Sequence, residues 1–528
     1  MERSVFLAAL VTMVSGGALV VAQQTSAVPQ PRADTLPAPG SASPKQSRTI
    51  PKPEGLMPIV PAGFTVTTYA ELQAPRIMAY APNGDLFVSS PAANTIVVLR
   101  DANNDGTFEA CSVFAAGDPP GAGRGGRGGA PATPGVPAGC AAPLTNPNVP
   151  SAPAAAPGGA TAVVPPAAAP PRQGGAGPGA APGGQPQAAG PTTPGGGGPG
   201  AGAPRAGGPP PQAGGGRGGP AVLGANAPAC TPPPEFVQKG SGELRAPFGL
   251  AFHDGYLYVG NTASLVRYKY SNGDLKAQAT PEKLMDLPAG GHSTRNVIFN
   301  RAGTKMYIAV GSQSNNDAGE DCRRAAILEF NPDGTGFRVY ASGIRNPVGL
   351  ALQPGTDIIW TAMNERDNLG DDLVPDYATT VKEGGFYGWP YSYIGKNYDP
   401  RYIGSFPDLV NKALVPDVLI PAHSAALGIT FYTANQFPQR YRNGAFVALH
   451  GSWNRSVAAG YKVVFFPMTN GTPGPIEDFL TGMLSSTGAN GTPIEKWGTP
   501  VGVTVGRDGS LLVSDDGANR IWKISARR

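Results

Sequence analysis

Four histidines occur in 528 residues, and three of them stand at the ends of apolar runs. His292 precedes one such run, within Gly290-Gly291-His292-Ser293-Thr294-Arg295. His423 precedes another, within His423-Ser424-Ala425-Ala426-Leu427-Gly428. His450 follows Phe446-Val447-Ala448-Leu449 and opens His450-Gly451-Ser452-Trp453-Asn454-Arg455-Ser456. An imidazole with an ordinary pKa of about 6.5 can move a proton near neutral pH. The three read either as parts of one site or as three separate structural histidines. The fourth, His253, precedes Asp254-Gly255 in a hairpin turn and is expected to be exposed and inert. Two charged clusters accompany them, Ile344-Arg345-Asn346-Pro347 and Asn364-Glu365-Arg366-Asp367-Asn368-Leu369-Gly370-Asp371-Asp372. The second is rich in oxygen ligands of the kind a hard cation such as calcium takes, although a solvated acidic loop has the same composition. The turn Asp101-Ala102-Asn103-Asn104-Asp105-Gly106 also resembles a calcium loop. Its twelfth position is Ser112 rather than a bidentate Glu, so a plain hairpin turn is expected.

These residues border a unit that recurs six times: a turn, a small residue, an apolar strand, an Asp/Asn/Gly turn and a second apolar strand. The first strands fall at 74–79, 246–251, 294–299, 346–351, 426–430 and 499–503; the second at 86–88, 257–259, 306–308, 358–360, 446–448 and 511–513. Period-2 strands joined by such turns are antiparallel hairpins. Six small antiparallel sheets in succession predict an all-β chain and a six-bladed β-propeller, with a pair of β-sandwiches as the rival. The run 64–69 is expected to complete the blade that ends at 521–524. In such a ring the loops of one face line a central funnel.

Composition sets the boundaries. The tract 118–234 holds 31 of the 75 Gly and 29 of the 59 Pro, with no aromatic residue. Removing its five Arg and one Asp from the chain's 40 basic and 36 acidic residues leaves 35 of each. The net charge of +4 therefore belongs to the tract, and a polyanionic partner such as nucleic acid is not expected. With nothing to bury, the tract reads as a disordered Gly/Pro/Ala-rich insertion between the first and second units. Residues 1–22 read as a secretory signal peptide, 23–62 as a linker and 63–528 as the propeller domain, so a periplasmic or secreted location without stable membrane insertion is expected. Cys111, Cys140, Cys230 and Cys322 show no metal or haem spacing; one or two disulfides are plausible, with pairing open.

Taken in order, Gly291-His292, Ile344-Arg345-Asn346-Pro347-Val348-Gly349-Leu350, the 364–372 loop, Glu383-Gly384-Gly385-Phe386-Tyr387-Gly388-Trp389-Pro390 and His450-Gly451-Ser452-Trp453-Asn454-Arg455 resemble the glucose/sorbosone dehydrogenase family, the soluble pyrroloquinoline-quinone (PQQ)-dependent sugar dehydrogenases, and its sorbosone-dehydrogenase branch most closely. The resemblance runs from about residue 63 to the C-terminus, outside the tract. It implies a six-bladed propeller holding PQQ and a calcium ion in its funnel. By matching motif, His292 takes the place of the catalytic base, and Arg345 and Asn346 that of the pair contacting the quinone. Arg455, Lys462 and Arg245 are further cationic candidates for the cofactor's carboxylates. The turn at Arg366 and Asp367 matches the segment whose carbonyls hold calcium.

Two positions depart from the family pattern. Thr499 stands where many relatives carry Arg, and Gly311-Ser312-Gln313 stands where the glucose-oxidising branch has an acid, which puts glucose itself in doubt. With no haem motif in the chain, a separate electron acceptor is required. The expectation is an exported quinoprotein that oxidises an aldose or sugar aldehyde. The rivals are a calcium-dependent lactonase-type hydrolase on the same kind of propeller and a non-catalytic propeller that binds carbohydrate or protein.

Overall fold

The computed structural model of the protein describes residues 29–41, 44–118 and 240–527. The expected leader at 1–22, and all of the 118–234 tract except Asp118, lie outside the described residues. Within them, strands and turns account for nearly everything. One short helix, Pro407–Val410, and three single 3-10 turns are the exceptions.

Six antiparallel sheets of four or five strands follow one another along the chain. Their innermost strands are Met78–Tyr80, Gly249–His253, Val297–Phe299, Asn346–Leu352, Ala426–Phe431 and Pro500–Val505. Each pairs with the strand that follows it, at the six hairpins legible in the sequence. The sixth sheet takes its outer strand from the start of the chain: Phe64–Glu71 pairs with Arg520–Ala526, Phe64 opposite Ala526. Phe64 then packs edge-on against Phe437, Tyr441 and Phe479 at centroid distances of 4.7, 5.3 and 5.2 Å.

The middle strands explain why the sheets stack. Leu86–Ser90, Met306–Val310 and Ala326–Phe330 are buried at every position. Side chains alternate across a strand, so each sheet offers one apolar face to each neighbour. Phe87 and Ile96 pack with Leu250 and Leu257 of the second sheet, whereas Leu86, Val88 and Val97 pack with Leu512 and Ile521 of the sixth. The same holds for the second with the third, third with fourth, fourth with fifth and fifth with sixth. The succession of cores closes on itself.

At the centre the innermost strands meet backbone to backbone, and this requires the recurring glycine. A Cβ on Gly249 would lie 2.4 Å from Arg295 O, on Gly349 2.3 Å from Leu427 O, on Gly428 2.5 Å from Val501 O and on Gly502 2.3 Å from Arg76 O. Each acceptor belongs to the neighbouring sheet. Just inside these contacts Phe248, Val348, Leu427 and Val501, with Ile77, form an apolar plug across the axis.

Residues 29–62 differ from a free linker wherever they are described. Ser47–Thr49 pairs in parallel with Ile494–Lys496, Ile59 exchanges hydrogen bonds with Thr481, and Gly40 N donates to Leu369 O at 2.9 Å. Cys111 and Cys322 are both disulfide-bonded.

Candidate active site

The starts of the innermost strands and the ends of the second strands gather at one end of the ring, above the apolar plug. His292 stands at the mouth of the third sheet. The turn before it needs Gly291, whose φ is +59° and whose Cβ would lie 2.3 Å from Gln313 Cα. Ser312 O accepts from His292 N at 3.0 Å and lies 2.8 Å from its Nδ1; Ser312 Oγ is 3.1 Å from the same ring nitrogen. A carbonyl acceptor assigns the proton to Nδ1 and leaves the lone pair on Nε2. Burial, then the charges of Arg345 and Arg295, push the imidazole pKa down to about 4. His292 is therefore neutral at neutral pH.

Arg345 and Asn346 open the fourth sheet beside it, and Ser312 N donates to Arg345 O at 2.7 Å. The guanidinium is buried and fully engaged. Nε donates to Asn315 O at 2.9 Å, Nη1 to Glu365 O at 2.7 Å, and Nη2 to Asn315 Oδ1 at 2.9 Å and Asp367 Oδ2 at 3.4 Å. Asn346 Nδ2 donates to Asn364 Oδ1 at 3.3 Å. Its Oδ1 is buried without a partner. Gly311 makes room for it: a Cβ there would sit 2.4 Å from that oxygen and 2.6 Å from His292 Cβ.

Asp367 is the hub of the mouth. Asn454 Nδ2 donates to its Oδ1 at 2.6 Å, His423 Nδ1 lies 3.5 Å from the same oxygen, and Asn315 Oδ1 accepts from its backbone N–H. Burial pushes this carboxyl up, but the His423 hydrogen bond and the Arg345 charge outweigh it and hold the pKa below the ordinary value. His423 has φ +64° and places Nε2 2.9 Å from Gly370 O. Burial opposes its protonation, but Asp367 and the Gly370 carbonyl prevail, so its pKa is raised. Behind them Asp376, fully buried, accepts from Glu365 N at 2.8 Å and Ala425 N at 2.7 Å, and burial lifts its pKa to about 7.

His450 closes the circle on the other side. Its Nε2 lies 2.9 Å from Asp516 Oδ1, which also accepts from Thr499 Oγ1 at 2.6 Å; Arg76 pairs with Asp516 Oδ2. Burial opposes ionisation of Asp516, but His450 and Arg76 hold its carboxyl far below the usual range.

The remaining candidates separate. Arg455 is buried and clamps the 364–372 loop, donating to Asp371 O and, at 2.8 Å, to Asp372 Oδ1. Arg366 is fully buried between Glu365 and Asp399, at 2.9 and 3.0 Å, and also donates to the carbonyls of Pro390 and Ser392. Lys462 pairs with Asp478 on the outer strand of the fifth sheet. The Arg245 side chain is 77% exposed, with Glu243 at 3.5 Å, and is not drawn into the cluster. His253 stacks on Phe299 at 4.4 Å, away from the mouth.

Asn315, Asp376, Asp516 and Arg76 escaped the sequence reading. A signal existed for three of them: like Arg345 or His450, Arg76, Asn315 and Asp516 lie next to an innermost strand or after a second strand. Among the described residues the one group of three side chains spaced for a metal is Asp101, Asp105 and Glu109, on an outer hairpin of the first sheet. Glu109, in ninth place, accepts from Ala102 N at 2.7 Å.

An all-β ring of sheets with acid–base and amide groups gathered over a plugged axis is the layout of a β-propeller with a polar mouth. The family model for glucose/sorbosone dehydrogenase matches residues 257–452, and the TrAA12-like model matches 410–527. The chain belongs to the glucose/sorbosone dehydrogenase family. An uncharacterised protein of Borreliella burgdorferi is 30% identical over 296 residues, covering 53% of this chain and 76% of that one. A PQQ-dependent pyranose dehydrogenase of Coprinopsis cinerea is 27% identical over 292 residues; the match covers 44% of this chain and 39% of the relative. In fold, the chain is similar to the holo PQQ domain of the Coprinopsis cinerea pyranose dehydrogenase, with TM-score 0.54 and 16% identity over 90% of this chain and 98% of that domain. No described helix is long and apolar enough to cross a membrane.

Proposed function

We propose that the chain is an exported quinoprotein that oxidises an aldose or a sorbosone-like sugar aldehyde at the mouth of a six-bladed propeller, with His292 as the base. The closed succession of six apolar cores supports the blade number. The observation that carries the chemistry is the Nδ1 of His292 fixed on Ser312 O beside a buried Arg345. That geometry leaves a neutral Nε2 open to a substrate hydroxyl.

Orphaned acceptors in the mouth fit the N–H of a heterocyclic quinone, whereas the cations expected for its carboxylates, Arg345, Arg455 and Lys462, are engaged by protein groups. A buried acceptor without a partner costs about 1–3 kcal/mol, and Asn346 Oδ1 and Asn454 Oδ1 are two such atoms. Both would accept from N–H or O–H groups placed there, and Asn346 lies nearest the base. Bound in the mouth, the quinone would supply the two-electron acceptor for a hydride. His292 Nε2 takes the anomeric hydroxyl proton as the C1–H bond breaks, so the sugar loses one hydride and one proton and leaves as the lactone. Arg345 keeps His292 unprotonated and ties the loop of Asn315 to that of Asp367. Arg455 holds the 364–372 loop against the fifth sheet. Electrons leave through a separate acceptor.

The calcium expected at 366–367 would rest on backbone carbonyls, of which Glu365 O and Asp367 O already accept from Arg345 Nη1 and Asn315 Nδ2, and the side chains of 366 and 367 add no free ligand. The Asp367 carboxylate is already shared by Asn454, Arg345 and His423, and the Arg366 guanidinium is itself a cation locked in ion pairs. The lactonase-type reading needs free acidic ligands in the mouth. There the carboxylates of Asp367 and Asp516 are spent on cations instead.

The test adds PQQ to the purified apo-protein, with and without calcium, and follows dye reduction over a panel of aldoses. Quinone-dependent activity that is lost in His292→Ala is expected. Failure to take up the quinone overturns the reading.

A further inference from the structure

Arg295 and Arg324 lie directly behind His292, and neither has a carboxylate within 4.0 Å among the described residues. The other buried arginines do: Arg345 has Asp367, Arg366 has Glu365 and Asp399, Arg323 has Asp321 and Arg455 has Asp372. Instead both bind carbonyls of the segment that carries the base. Arg295 Nη1 donates to His292 O at 2.6 Å and Thr294 O at 2.7 Å, and Nη2 to Pro288 O at 2.7 Å. Arg324 Nη2 donates to Ala289 O and, at 3.1 Å, to Gly290 O, while Nη1 reaches Gly311 O at 3.2 Å. Arg295 is fully buried, and its Nε is without a partner.

We propose that Arg295 and Arg324 are positioning residues for the base: two buried guanidiniums with no carboxylate in contact, which clamp residues 288–294 through their carbonyls and hold a positive field against the His292 imidazole. The proposal rests on the reading of His292 as the base. Carbonyl dipoles solvate a cation but do not cancel its charge, and a buried charge without a counter-charge is expensive. A purely structural clamp would be met more cheaply by backbone or neutral side-chain donors. What the charge adds is a reason for the imidazole to stay neutral and for a negative group to settle in the mouth.

The charged groups that act on His292 are few, and after burial the largest charge effect is that of Arg345. Arg345 and Arg295 disfavour its protonation and only Asp367 opposes them, while the Ser312 carbonyl steadies Nδ1. Glu320, on the adjoining loop, accepts from Gln313 N, Ser314 N and Ser314 Oγ, and with Asp321 it partly offsets the Arg324 charge. Burial and the neighbouring Arg324 push the Arg295 guanidinium itself down to about 9. Arg295 thus feels Arg324 as well as the base.

The test is a proton-NMR titration of the full chain without cofactor. Only four histidines contribute signals, and His292→Gln assigns the relevant one. In Arg324→Met and in Arg295→Met the proton affinity of His292 is expected to rise about tenfold, one pKa unit. The acid limb of kcat/KM in the reconstituted enzyme should move with it. Arg295→Lys keeps the charge but not the fork; it should preserve the titration while lowering kcat at unchanged KM. Arg324→Met leaves the His292 and Thr294 carbonyls bonded, so it carries the test where Arg295→Met does not fold. A folded Met variant whose His292 titrates as in the parent overturns the proposal. Full activity of His292→Gln would overturn the base assignment instead, and it is read independently of the titration.

Discussion

The Nδ1 of His292 lies 2.8 Å from Ser312 O, and this single contact decides which ring nitrogen faces the mouth. With the proton held at Nδ1, Nε2 can only accept. Because the imidazole pKa is pushed down to about 4, the base form persists well below neutrality. Activity of the reconstituted enzyme should therefore be flat down to about pH 5 and fall as pH drops through about 4. A pH profile of kcat/KM measures it; an acid limb at the ordinary histidine value of about 6.5 contradicts it.

Replacing His292 by Ala should cost about 100- to 10,000-fold in kcat, the usual contribution of a general base. Quinone affinity, followed by absorbance on titration of the apo-protein, should change little. A loss of affinity that matches the loss of rate would instead make His292 a cofactor ligand.

Asp367→Asn should damage the site more than its partial exposure suggests. It removes the charge facing Arg345 and His423 and disturbs the bond from Asn454. A stability loss of about 1–3 kcal/mol is expected from the stranded partners, read as a shift in urea midpoint with unchanged slope. The charge that opposes Arg345 at His292 is lost with it, so the acid limb should move lower still.

Trp453 is half exposed although its neighbours Ser452 and Asn454 are buried. An exposed indole beside the mouth offers a ring for a sugar face. Trp453→Ala should raise KM for aldoses several-fold and leave the melting temperature unchanged. Unaltered KM across the sugar panel removes it from the substrate path.

Gly428→Ala tests closure of the ring. Its Cβ would stand 2.5 Å from Val501 O, a backbone atom that cannot swing aside. Overpacking of this kind typically costs about 1–3 kcal/mol. Differential scanning calorimetry should show the drop, and an unchanged transition would mean that the fifth and sixth sheets part readily.

The hairpins and their alternation were legible because period 2 and Asn/Asp-Gly turns are local signals. So was the pairing of 64–69 with the last strand, since an unmatched edge needs a partner. The repeat also carried a glycine whose meaning was not local: Gly249, Gly349, Gly428 and Gly502 are small because the next sheet's carbonyl arrives there. Residues 29–62, expected as a linker, turned out to hold strand pairing and a bond to Leu369, for which their Pro-rich composition gave no sign.

The sequence alone determined which residue types stood at the strand ends and that they recur with the fold's own period. His292 stood out as a strand-end histidine, and its candidacy with Arg345 and Asn346 came from motifs that resemble the family's. Only the tertiary structure decided what each touches there. It turned Arg366 and Arg455 into clamps, left Arg245 in solvent, made Asp367 the hub and set behind His292 two arginines with no carboxylate in contact among the described residues. The reason is physical: spacing fixes the face of a strand on which a side chain lies. Charge compensation and burial depend on neighbours brought in from other sheets, which no local pattern records.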